Sequence, residues 1–113
     1  MGKLNCIIID CADADRAATF WSQALEGYEA DKQPWGITLK SESDPLIYFE
    51  VVPEGKAVKN RLHLNMRAAD REAEVKRLMD LGATELETMS PGGGYVWTNM
   101  RDVEGNEFCV SQA

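Results

Sequence analysis

The stretch RLHLNMRAADREAEVKRLMDLGA, residues 61–83, changes its hydrophobic period partway along. Over 61–67, Leu62, Leu64 and Met66 alternate with Arg61, His63, Asn65 and Arg67, the period of a strand with one covered face. From Asp70 onward the spacing is helical: Asp70 suits an N-cap, Val75, Leu78 and Met79 fall on one face, and Gly82 closes the segment. The same strand-to-helix switch occurs earlier. LNCIIID (4–10) reads as a strand, and Asp13 caps a helix carrying Ala14, Ala17, Ala18, Trp21 and Leu25, with Gly27 at its end. Moving the first half forward by 57 residues lays Ala12-Asp13 on Ala69-Asp70 and Cys6 on His63. FEV (49–51) meets FCV (108–110) at a shift of 59. The chain repeats itself.

Extended runs follow each helix, at roughly 34–40 and 46–52 in the first half and at 83–88, 94–101 and 106–111 in the second. The second half reads β-α-β-β-β, and the repeat gives the first the same plan: an α+β domain built of two modules, about 1–55 and 60–113, joined by the polar segment PEGKAVKN (53–60). Alternation assigns the faces. Ile47, Phe49 and Val51 oppose Tyr48 and Glu50; Phe108 and Val110 oppose Glu107, Cys109 and Ser111. His63, Glu50, Cys109 and Cys6 then belong to the uncovered side, while Leu62, Leu64, Phe49 and Phe108 pack beneath the helices.

Charge and composition exclude several classes. Among 113 residues, 12 basic and 19 acidic side chains give a net charge of −7, with no basic patch, which argues against nucleic acid and anionic membrane as partners. No run reaches the length of a membrane span and no signal peptide opens the chain, so a cytoplasmic location is expected. Three cysteines without framework spacing suit a reducing compartment. Cys11 reads as a small core residue at the strand-to-helix join, and Phe20 and Trp21 read as helix packing.

The paired layout, DCADADRAATFWSQAL (10–25), NRLHLNM (60–66) and RDVEGNEFCV (101–110) together resemble the vicinal oxygen chelate superfamily, the glyoxalase, bleomycin-resistance and extradiol dioxygenase group, and within it the small glyoxalase-like branch. The resemblance covers nearly the whole chain. It implies that the two modules curl into one curved mixed sheet, a cup with helices outside and a ligand on the concave face. It also implies metal ligands on the first and last strands of each module, at Cys6, Glu50, His63 and Cys109, with Glu107 as a substitute. Only His63 and Glu50 match the family's residue types. No resident cofactor is expected from this set, with Zn²⁺ the one metal its softness would suit.

Trp35, Tyr48, Tyr95, Trp97 and Arg101 lie on extended runs, and the last four share the uncovered parity, which marks them as lining for a small-molecule pocket. SPGGGY (90–95) reads as a lid or hairpin beside it. Two activities fit. One is lyase or isomerase chemistry at a carbonyl compound, with His63 and Glu50 as catalytic groups. The other is sequestration of a small molecule or antibiotic without chemistry, in the manner of bleomycin-resistance proteins. A cup built from sheets leaves edges that tend to pair, so a homodimer is expected.

Overall fold

A computed structural model describes all residues, Met1–Ala113. The chain forms two compact units, Met1–Gly55 and Lys56–Ala113. Each is one βαβββ module with a four-stranded mixed sheet and one helix.

The first unit runs β1 (Cys6–Cys11), α1 (Ala14–Ala24), β2 (Glu29–Gln33), β3 (Gly36–Lys40) and β4 (Leu46–Val51). Its strand order is β1-β4-β3-β2, with β1 parallel to β4 and the other pairs antiparallel. Asp13 caps α1 by accepting the Arg16 N–H at 3.0 Å. Ala17, Ala18, Phe20, Trp21 and Ala24 are buried on the helix; Ile37, Leu39, Ile47 and Phe49 are buried on the strands it contacts. Phe20 and Trp21 meet edge to face, with ring centroids 5.1 Å apart. Cys11 is buried at the strand-to-helix join.

The second unit repeats this plan with β5 (Asn65–Ala68), α2 (Arg71–Asp80), β6 (Thr84–Gly92), β7 (Tyr95–Arg101) and β8 (Glu107–Gln112), in the order β5-β8-β7-β6. Asp70 caps α2 through the Ala73 N–H at 3.1 Å. Val75 and Leu78 are buried on the helix, while Phe108, Val110, Met100 and Thr98 are buried on the strands. Thr98 is the polar member of that layer. Its hydroxyl is satisfied by Arg71 Nη1 at 2.6 Å and by the Thr88 hydroxyl at 2.9 Å.

Several sequence expectations need correction. The strand expected at 61–67 begins only at Asn65. Upstream, the Asn60 side chain bonds the backbone of Glu107 at both N and O, taking groups that a neighbouring strand would otherwise pair. The chain bends there, and Leu62 is 90% exposed rather than packed under a helix. Met79, placed on the apolar face of α2, is also exposed. The run at 83–88 extends to Gly92, which leaves only Gly93-Gly94 as the turn of a β6–β7 hairpin. Both glycines have positive φ, 68° and 81°, as a tight hairpin turn requires. Strand β2, at 29–33, had no hydrophobic signature of its own; it is an edge strand reading EADKQ.

One close approach shapes the uncovered face of the first sheet. Tyr48 lies across Gly36 and donates its hydroxyl to the Trp35 carbonyl at 2.9 Å. A Cβ on Gly36 would stand 2.4 Å from the Tyr48 oxygen. Gly36→Ala should therefore destabilise the protein by about 1–3 kcal/mol through overpacking. Chemical denaturation of the single variant and of Gly36→Ala/Tyr48→Ala checks this: the second substitution should recover part of the loss, because the two sites are coupled.

Candidate functional site

The pairing of β7 with β8 places Trp97 opposite Ser111, Asn99 opposite Cys109 and Arg101 opposite Glu107, so these six share the uncovered face of the second sheet. The turn between the strands is fixed by one side chain. Asp102 is buried, and its carboxylate accepts the backbone N–H groups of Glu104 at 2.8 Å and Asn106 at 2.9 Å. Asp102 N–H also donates to the Asn106 carbonyl at 2.9 Å, which locks the register just beyond Arg101 and Glu107. This is what the RDVEGNEF stretch encodes.

Glu107 is the hub of the face. Its side chain is only 9% exposed and binds Lys56 Nζ at 3.0 Å, the Asn60 backbone N–H at 2.9 Å and Arg101 Nε at 3.4 Å. Burial pushes its carboxyl up, but the Asn60 N–H, the Lys56 ammonium and its own N–H outweigh that and hold it down at about 2. The carboxylate thus ties the segment after Gly55 to β8 and draws on β7 as well. Lys56 Nζ bonds the Val58 carbonyl too, and the Asn60 side chain bonds that of Leu62, which shapes the strap between them.

Under this strap lies a groove of about 550 Å³, lined among others by Lys59, His63, Leu86, Glu87, Asn99 and Arg101. All of its walls belong to the second unit. Of the site residues read from the sequence, the groove brings together His63, Arg101 and Glu107. Trp97 shares the strand face but stands four residues from Arg101, roughly 13 Å along β7. Tyr95 lies further on, exposed beside the glycine turn. Tyr48, Trp35 and Glu50 belong to the first unit: Tyr48 is half-buried on β4, Glu50 is exposed there, and Trp35 is exposed at the β2–β3 turn. Lys56, Lys59, Asn60, Glu87 and Asn99 were not singled out in the sequence. Only the polarity of PEGKAVKN hinted at the first three.

The metal ligands implied by the resemblance do not fit a resident ion within either unit. Cys6 is in register with Leu46, four residues from Glu50, so the two sit roughly 13 Å apart along the sheet. Cys109 lies on the uncovered face by register. Its strand is paired on both sides, by β5 and β7, and Cys109 is only 4% exposed. Burial pushes its thiol pKa up, against the thiolate that a metal needs. Both oxygens of Glu107 are engaged by Lys56, Asn60 and Arg101. No three His, Cys, Asp or Glu side chains gather as a ligand set.

Two βαβββ modules, the second bearing a groove on the uncovered side of its sheet, define a protein of the vicinal oxygen chelate class. The chain belongs to the glyoxalase-like domain family, whose model matches residues 6–111. Among solved structures it is similar to a glyoxalase/bleomycin resistance protein/dioxygenase family enzyme from Burkholderia phytofirmans PsJN, at 19% identity over 98% of each chain and a TM-score of 0.79. A glyoxalase-related enzyme from Fulvimarina pelagi is 16% identical over 100% of this chain and 89% of that one, with a TM-score of 0.76. The fosfomycin resistance protein FosX from Mesorhizobium loti is 12% identical over 99% and 92%, with a TM-score of 0.73. Among curated proteins, none matches the chain in sequence. No helix is long and apolar enough to cross a membrane.

The Glu107 cluster makes a pH prediction. Its carboxyl titrates near 4.5 when free and near 2 in the folded chain, so the stability it contributes is complete above about 4.5 and is lost as pH falls through 2. Melting temperatures between pH 2 and 7 should show Glu107→Gln losing the most relative to wild type at neutral pH. The two curves should converge at the acid end. At neutral pH the substitution should cost about 2 kcal/mol, since hydrogen bonds to a charged group are removed.

Proposed function

We propose that this protein binds a small organic molecule in the groove of its second unit, with Arg101 and His63 orienting a polar group of the ligand. One observation carries this reading: a groove of about 550 Å³ with an arginine whose Nε is held by Glu107 and whose outer guanidinium nitrogens have no protein partner. That volume is within the usual range for small-molecule sites, roughly 300–1,000 Å³. Leu86 supplies an apolar wall, and Asn99 a neutral hydrogen-bonding group. A ligand long enough to follow β7 would reach Trp97 and then Tyr95, which offer stacking area.

A catalytic reading rests on the same groove, because His63 lines it together with Arg101. A bound carbonyl compound could lose its α-proton to His63 while Arg101 stabilises the enolate oxygen. The edge strands of the two sheets, β1, β2, β5 and β6, each unpaired on one side, support the homodimer expected from the sequence. Three free cysteines suit a reducing cytoplasm.

A thermal-shift screen of small carbonyl compounds, aromatic acids and glycopeptide antibiotics tests the binding reading. Arg101→Ala should weaken carboxylate-bearing hits by tenfold or more. Trp97→Ala should weaken long aromatic hits by a similar factor, roughly 2 kcal/mol for a buried ring, and leave short ones unchanged. Hits that bind the Arg101 variant at full strength would place the site elsewhere. Solvent deuterium exchange at the α-carbon of a bound ketone, lost in His63→Gln with binding retained, separates catalysis from sequestration.

A further inference from the structure

The charges in the groove are arranged in an unusual way for a plain surface. Glu87 faces Asn99 across the β6–β7 pair, and Arg101 lies two residues further along β7 on the same side. Glu87 and Arg101 are thus near cross-strand neighbours on either side of an irregularity in β6 between Glu85 and Glu87, on the order of 8 Å apart at their Cα positions and within the reach of a long side chain. Opposite charges at that spacing would ordinarily pair. Here Arg101 turns instead to Glu107, and Glu87 is left without an ion pair. Both line the groove, so a carboxylate and a guanidinium face one cavity with a gap between them.

The surrounding charges sharpen the point. Lys56, Glu107 and Arg101 together leave one positive charge. Lys59 and Glu104, a further cation and anion in the lining, offset one another. With Glu87 counted, the groove is neutral overall, which does not favour a simple anion in a chain of net charge −7. It favours a ligand that is itself neutral overall but carries both signs. We propose that the groove takes a small zwitterion whose ammonium meets Glu87 and whose carboxylate meets Arg101, with its two charges about as far apart as the termini of an extended dipeptide, roughly 7 Å. An aliphatic body between them would rest on Leu86. This rests on the binding reading above and names the ligand class for that same groove.

Isothermal titration with leucyl-leucine, its N-acetyl form, its C-terminal amide and free leucine tests the assignment. The free dipeptide should bind at least tenfold more tightly than either blocked form or leucine. Glu87→Gln should abolish the preference over the N-acetyl form without altering affinity for that form; Arg101→Gln should do the same for the amide. Both side chains are exposed enough that folding should survive, which circular dichroism checks. If the N-acetyl form binds wild type as tightly as the free dipeptide, the zwitterion assignment is wrong although the groove still binds ligand. If no member of the set binds, the assignment is also overturned, and the screen of carbonyl compounds and antibiotics then judges the binding reading by itself.

Discussion

A carboxylate largely removed from water cannot be left without partners, and in the second unit that constraint falls on Glu107, whose side chain is 9% exposed. Lys56 and Asn60 from the connecting strap satisfy it, and Arg101 from the next strand adds a longer contact. The strap is thereby fixed against β8, and the groove beneath it acquires its roof. Arg101, which lines the cavity, is held at its Nε by the same carboxylate. A lysine or leucine at this position would fold the sheet equally well by pattern. Neither could hold three segments at once. The Asp102 turn adds the other half of the constraint, because it sets which residue of β7 stands opposite Glu107.

Much of the fold could be read in the residues. The period change at Asp70 and its counterpart at Asp13 marked both helices to within a residue, since an aspartate N-cap before an apolar stripe has few other readings. The alternation in LIYFEV and EFCV assigned Phe49 and Phe108 to the covered face, where both are fully buried. Edge strands were harder. EADKQ pairs on one side only and buries little, so no apolar signal accompanies it. The N-terminal part of 61–67 misled for another reason: its alternation is genuine, but a side chain from Asn60 occupies the edge that would have paired with it.

The site was legible only in part. Parity placed Arg101, Trp97 and Glu107 on one face, because a strand shows its faces in sequence. Parity says nothing about distance along the strand, and that separates Trp97 from the groove that holds Arg101. Nor does sequence reveal which charges neutralise one another. Glu107 looked like a candidate ligand by residue type; in the fold it is an internal counter-ion whose affinity for protons is already lowered by its neighbours.

The close contact of Tyr48 with Gly36 has an evolutionary reading. Matching FEV to FCV sets Tyr48 of the first module level with Glu107 of the second, on corresponding strands. One copy of the repeat carries an aromatic ring there, lying on a bare glycine and tied to the backbone of the neighbouring β2–β3 turn. The other copy carries a carboxylate that recruits a distant strap and leaves space beside it. After a duplication, exchange at this position together with the residues that serve it, a glycine under the ring and a strap beside the carboxylate, would divide the labour between two initially identical halves: one face closed by its own side chain, the other left open to hold something else.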